Sequence, residues 1–215
     1  MDPKARNVKQ KRSYDVSRRR AQAHRNQARI VDSAERLLLR DGYAATTIAA
    51  IAADADVSVD TIYKSFGGKA GLVRAIRTRA LKGEGSLPAE QRSDALHRRE
   101  SDPRTIIQAW GALSAEVAPR VSPILLLIRD AAATHPEGRA LLKEIDDDRL
   151  RRMTQNARRL RDAGHLREGI TLTQAADILW TFSSPELYEL LVPRRGWTRK
   201  RYGRFIADAM IHALL

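Results

Sequence analysis

The sequence predicts an all-α chain, with a set of short helices at the front and longer helices behind. Three observations carry this prediction. Apolar residues recur at spacings of three and four along most of the 215 residues, and no segment alternates with period two for long. Turn signals at Asp41-Gly42, Gly67-Gly68 and Gly164 punctuate that periodicity. Capping residues such as Thr47 and Ser58 stand where new apolar faces begin.

Residues 1–21 form a basic segment without a sustained apolar stripe, expected to be a flexible arm. Ile30, Val31, Ala34, Leu37 and Leu38 then make one apolar face on a helix from about 22 to 40, ended by Asp41-Gly42. Thr47 caps a second helix with Ile48, Ile51, Ala52 and Ala55 inward, and Asp56 marks a tight turn. Ser58 caps a third helix, which turns Ile62 and Phe66 inward; a fourth carries Leu72, Val73, Ile76 and Ala80. These elements, residues 22–82, form a first domain. The polar stretch 83–101, with Gly83, Gly85, Ser86 and Pro88, reads as a linker to a second helical domain over 102–215.

In that second domain Ile106, Trp110, Leu113 and Val117 form one stripe, and Ile124, Leu125, Ile128, Ala131 and Ala132 the next. Pro136 suits the first turn of a long helix bearing Leu142, Ile145, Met153, Ala157 and Leu160, closed near Gly164. Thr173 is the expected cap of a helix with Ala175, Ile178, Leu179 and Phe182 inward. Ser184-Pro185 opens a short helix through Leu191, and Tyr202 to Leu214 gives a clean three–four repeat to the last residue.

Composition sets outer bounds. Charged residues make up 30% and hydrophobic ones 43%, as in a folded soluble protein. The absence of cysteine removes disulfides and thiolate metal sites, and fits a reducing cytoplasm. The basic N-terminus lacks the apolar core of a secretory signal. No apolar run approaches the roughly 20 residues a membrane helix needs, so no membrane partner is expected. The net charge is +13, unevenly spread: residues 1–82 hold 18 basic against 8 acidic side chains, +10, and the remaining 133 hold 21 against 18, +3. A basic front third points to a polyanionic partner.

Two short helices joined by a tight turn and packed on a longer one match the helix-turn-helix arrangement. The second helix of such a pair holds an apolar face on its neighbours while its N-terminal outer face enters the major groove of double-stranded DNA. In "SVDTIYKSF", Ile62 and Phe66 anchor the helix and leave Val59, Asp60, Thr61, Tyr63, Lys64 and Ser65 outward or flanking. Small and polar residues at the helix start allow close approach to base edges, Tyr63 and Lys64 can reach phosphates, and Ser58 offers a cap and a hydroxyl.

The stretch "TTIAAIAADADVSVDTIYKSFGGKAGLVRAI" resembles the DNA-binding region of tetracycline-repressor (TetR) family regulators over about residues 28–76. Thr47, Ile51, Ala52, Val57, Ser58, Thr61, Ile62, Tyr63, Phe66, Lys69 and Leu72 fall in that family's register. The resemblance implies that Thr47 and Lys69 hold DNA phosphates at helix N-termini. It also implies that Tyr63 contacts backbone or base, and that Val59, Asp60 and Thr61 read bases. Two residues depart from the pattern. Asp56 replaces the usual turn glycine, but tolerates the left-handed region better than most residues. Asp60 suits the positive end of a helix yet faces an anionic groove; it either accepts from cytosine N4 or serves only the helix. Arg18, Arg19, Arg20 and Arg25, with Lys9, Lys11 and Arg12, are expected to add salt-sensitive, sequence-independent affinity, with minor-groove entry as the other option.

For the larger half the resemblance implies a small-molecule effector and a homodimer. The stripes at 175–182 and 202–214 suit a four-helix interface, or else intramolecular core. A twofold dimer places its recognition helices roughly 34 Å apart, one DNA turn, on a near-palindromic site. The aromatic and apolar candidates for an effector pocket are Trp110, Leu113, Leu125, Ile128, Met153, Trp180 and Tyr188, with Glu116 and Arg129 to orient a polar group. No catalytic set is expected: the five histidines are scattered, and "DDD" at 146–148 reads as a solvated acidic face. No cofactor or metal is called for. The competing reading is a basic helical architectural DNA-binding protein without an effector.

Overall fold

The computed structural model describes residues 3–83 and 85–215, with side chains from Gln22 onward. Among the described residues there are ten α-helices and no strand. The chain divides into two units, Met1–Ala75 and Ile76–Leu215.

In the first unit, α1 (Pro3–Ala45) runs past the expected stop, broken by Gly42 at φ +86° and ψ 166°. Glycine does introduce the predicted non-helical step, but one further turn follows it. The helix also begins earlier than the expected position 22, so residues 3–21, expected to be a flexible basic arm, belong to α1, with their side chains outside the described residues. The helices α2 (Ile48–Asp54) and α3 (Val59–Phe66) are short, and α4 (Lys69–Lys82) begins in this unit. The core joins Ile30, Ala34 and Leu38 of α1 to Ile51 of α2, Ile62 of α3 and Leu72 and Val73 of α4, all fully buried. These are the positions the three–four spacing selects, since one face of each short helix must leave water.

The second unit contains α5 (Ala89–His97), α6 (Pro103–Ala132), α7 (Pro136–Asp162), α8 (Leu172–Phe182), α9 (Pro185–Glu189) with a π-helical turn over Leu190–Arg194, and α10 (Arg199–Leu214). At its centre α6 packs against α5, α7, α9 and α10. Ile106, Ile107, Trp110, Leu160, Ala175, Leu179, Tyr202, Ile206 and Met210 belong to one buried cluster.

Four expectations change here. The stretch 83–101 is not a bare linker, because α5 occupies Ala89–His97 and buries Ala89 and Ser93. The stripes at 106–117 and 124–132 belong to one helix of 30 residues that continues through Pro119 and Pro123. Each proline removes one amide donor, so α6 lacks two of its ladder bonds without ending. The cap of α8 is Thr171 instead of Thr173: its hydroxyl accepts from the Gln174 N–H, and the Gln174 side chain accepts from the Thr171 N–H at 2.9 Å. Reciprocal satisfaction of two orphan donors favours the earlier threonine. Finally, α6 is by length and composition apolar enough to cross a membrane. Ile106, Ile107, Trp110, Ile124 and Ile128 on it are buried within the unit, as in a soluble core helix.

Candidate nucleic-acid interface and internal cavity

Local chemistry fixes the helix-turn-helix. The Thr47 hydroxyl accepts from the Ala50 N–H at 3.0 Å and starts α2. At its end the Ala55 and Val57 amides donate to Ile51 and Ala52 carbonyls at 2.9 and 3.0 Å. Between them Asp56 takes φ +51°, the one positive-φ non-glycine among the described residues, as the turn requires. Ser58 then starts α3, accepting from the Thr61 N–H at 3.1 Å, while the two hydroxyls lie 2.8 Å apart. Gly67 ends α3 in the left-handed conformation at φ +72°.

The two faces of α3 differ sharply. Ile62 is fully buried, whereas Val59 and Tyr63 are 41% and 53% exposed despite their apolar surface. Asp60, Lys64 and Ser65 are exposed, and Thr61 is half-buried beside its cap. Val59 and Tyr63 stand one turn apart, so their exposed apolar surface lies on one helix face open to a partner. Asp60 is not aimed alone at a partner: Lys64 Nζ lies 2.7 Å from its carboxylate, one turn further on. Tyr63 leans over the start of α4, where its ring would stand 3.5 Å from a Cβ on Gly68.

Lys69 has a different placement from a free phosphate clamp. Its ammonium donates to the Tyr43 and Thr46 carbonyls at 2.6 and 3.0 Å and lies 4.3 Å from the Tyr43 ring centre. The last carbonyls of α1 form a negative dipole end, and Lys69 neutralises it. The Thr46 hydroxyl, which sequence reasoning passed over, is buried and donates to the Gly42 carbonyl at 2.8 Å. Together these contacts bring the end of α1, the cap of α2 and the first residue of α4 to one corner. Arg36 also pairs with Asp54, joining α1 to α2; the Ser33 hydroxyl first, and Arg36 second, hold that carboxyl below its ordinary range.

Charge is partitioned within this unit. Residues 1–40 hold 12 basic against 4 acidic side chains, whereas 41–76 hold 3 against 4. Most of the positive charge of the front third therefore precedes the helix-turn-helix, and Arg77, Arg79 and Lys82 follow it.

In the second unit a cavity of about 170 Å³ opens between α5, α6, α7 and α8. Of the residues selected from sequence, Trp110, Leu113, Leu125 and Met153 line it. The other five do not. Ile128 is fully buried core. Glu116 is held by Arg92, two bonds of 2.8 Å each, and Arg129 pairs with Asp130 and Glu186 at 3.0 and 3.4 Å. Tyr188 packs edge-on against Tyr202, and Trp180 lies under the Arg149 guanidinium at 4.3 Å. These are intramolecular ties in which a hydrophobic or charged side chain satisfies its neighbour.

Sequence reasoning missed the polar wall. Arg149, Arg152 and Asn156 line the cavity from α7, and Arg77, Ser114 and Ser122 contribute from α4 and α6. The signal was present: Ile145, Arg149, Arg152, Met153 and Asn156 share one helical face, so polar residues interrupt the apolar stripe for two turns. Beside the cavity the Trp110 indole donates to the Ser93 hydroxyl at 3.0 Å. Burial, and then the nearby Arg159 and Arg152, hold His97 below its ordinary value. The acids at 146–148 take separate partners, Arg149, Lys143 and the pair Arg77 and Arg151, as successive helical positions must.

Residues 30–76 match the family model described as bacterial regulatory proteins, tetR family. Over 66 residues the chain is 41% identical to the uncharacterized HTH-type transcriptional regulator YvkB of Bacillus subtilis (strain 168), across 31% of this chain and 35% of that one. The match thus spans about a third of that relative's length. Native NalD, the secondary repressor of the MexAB-OprM multidrug efflux pump in Pseudomonas aeruginosa, superposes with a TM-score of 0.71 at 18% identity, over 90% of this chain and 98% of that one. The SmeT–triclosan complex superposes with a TM-score of 0.68 at 24% identity, over 88% and 91%. At such identities these two likenesses establish a shared fold.

Proposed function

The chain belongs, through residues 30–76, to the tetR family of bacterial regulatory proteins, and from that premise we propose that it is a sequence-specific DNA-binding transcriptional regulator. The single observation that carries this reading is α3, whose buried Ile62 anchors a helix that exposes Val59 and Tyr63 to solvent. Val59, Thr61 and Tyr63 meet base edges and sugar-phosphate in the major groove, and Thr47 and the first turn of α4 meet flanking phosphates. Lys64 lies near the backbone with its charge held by Asp60, one turn earlier. Lys69 acts chiefly by holding the corner that presents Thr47 and α4.

We further propose that the protein works as a homodimer on a near-palindromic operator, as a repressor released by a small molecule. The lined cavity in the second unit supports an effector, as does the complex that SmeT, a protein of this fold, forms with triclosan. An effector that favours one spacing of the DNA-reading heads shifts the population away from the bound state.

A gel-shift against genomic fragments at moderate salt tests the reading. Binding confined to a few near-palindromic fragments, and released by a ligand, supports the regulator. Uniform binding that weakens steeply with salt supports an architectural protein and overturns it.

A further inference from the structure

An arginine beside a mostly apolar cavity requires an account, because a buried cation needs partners that its surroundings rarely supply. Arg149, its side chain 12% exposed, meets α8 at its end. One guanidinium nitrogen donates to the Trp180 carbonyl at 2.7 Å and the Ser183 hydroxyl at 3.3 Å. The other reaches Asp146 at 3.3 Å, and Nε is buried without a hydrogen-bond partner. Asn156, two turns further along the same face of α7, is 5% exposed, and its side-chain oxygen also lacks a partner. Both residues line the cavity.

Sign and position of charge narrow what fits there. Arg77, Arg149 and Arg152 all reach the wall, but their counter-ions Asp148, Asp146 and Asp94 do not line it. Two of those carboxylates are shared, Asp148 with Arg151 and Asp94 with Arg159. The lining carboxylate is Glu90, which is exposed. Burial pushes the Arg149 guanidinium below its ordinary value against the pull of Asp146, so a second anion beside it is favoured. The rest of the wall is apolar, with Leu113, Leu125 and Met153 among its members.

Resting on the effector reading above, we infer that the cavity selects an acidic amphiphile, an apolar body whose anionic head pairs with Arg149. Neutral molecules of the same shape leave the guanidinium with Asp146 as its one anionic partner among the described residues, and cationic ones add repulsion to it.

The test uses the full-length, DNA-free protein, with decanoate, 1-decanol and decyltrimethylammonium as probes below their aggregation limits. Binding is followed by calorimetry and by the fluorescence of Trp110 and Trp180, which lie on and beside the wall. Decanoate is expected to bind stoichiometrically and at least tenfold tighter than either of the others. That preference is expected to vanish in Arg149→Met. Asn156→Asp, which preserves shape and adds a negative charge to the wall, is expected to weaken decanoate at least tenfold more than it weakens 1-decanol; it serves equally if Arg149→Met does not fold. Equal binding of the three probes, a preference for the cation, no saturable decanoate binding, or a decanoate preference unaltered by Asn156→Asp overturns the inference. Failure of bound decanoate to release operator DNA would instead count against effector-driven release and leave the acid selectivity standing.

Discussion

Gly111 of α6 and Gly203 of α10 lie back to back: a Cβ on Gly111 would stand 2.4 Å from the Gly203 carbonyl oxygen, and one on Gly203 2.8 Å from the Gly111 carbonyl oxygen. Two backbones approach this closely only where neither residue has a side chain. The crossing sets where the C-terminal helix meets the central one, and with it the buried positions of Tyr202 and Ile206.

Gly111→Ala or Gly203→Ala forces these backbones apart, and overpacking of this kind costs roughly 1–3 kcal/mol. Thermal unfolding should show a lowered transition for each variant. The double variant should lose less than the sum of the two, since the first displacement makes room for the second methyl. An unchanged transition in both single variants would remove the crossing from its role.

Tyr63 and Lys69 should separate by the kind of loss. Tyr63→Ala removes an exposed ring and should weaken operator binding by roughly 1–3 kcal/mol with unfolding unchanged. Lys69→Ala takes a cation from the Tyr43 and Thr46 carbonyls, so it should weaken operator binding and also lower stability by about 1–2 kcal/mol. Parallel titrations of DNA binding and denaturant unfolding distinguish them; a Lys69→Ala protein as stable as the parent would contradict the capping role.

Much of this corner was legible because its causes are local. A threonine before an apolar face, a serine three residues before an amide it can accept from, and an aspartate at a left-handed turn each act within four residues, and Thr47, Ser58 and Asp56 stand where such rules put them. The partner of Lys69 was not legible, since the Tyr43 carbonyl is 26 residues away and becomes available only when α1 ends beside α4. The cavity wall shows the same division. Periodicity found Met153 but discarded Arg149 and Asn156, because a search for apolar stripes treats polar positions as interruptions. The glycines at 111 and 203 escaped because close approach is a property of two helices, not of either sequence segment.

Asp60→Asn should uncouple Lys64. The exposed pair contributes little to stability, about 0–1 kcal/mol, so unfolding should barely change. Lys64 then becomes available to a phosphate, and non-specific DNA affinity should rise, with the salt dependence of log K steepening by about one. A fall in affinity confined to operators with cytosine at one position would show instead that Asp60 accepts from a base.

Replacing Arg18, Arg19 and Arg20 together by alanine should weaken operator and non-specific DNA alike and flatten the salt dependence by about three at most. Fluorescence anisotropy over a range of salt concentrations measures both slopes. Loss confined to one class of operator would point to minor-groove reading by this segment.

On the proposed reading, the ion pair on α3 means that the helix offered to base edges brings no net charge of its own to the encounter. Grip and discrimination therefore reside in different stretches of the chain. Substitutions at positions 59, 61 and 63 should then change which operator is preferred while the ionic component of binding stays set mainly by residues before position 41. A lineage carrying this arrangement can drift toward new target sequences without first losing its hold on DNA.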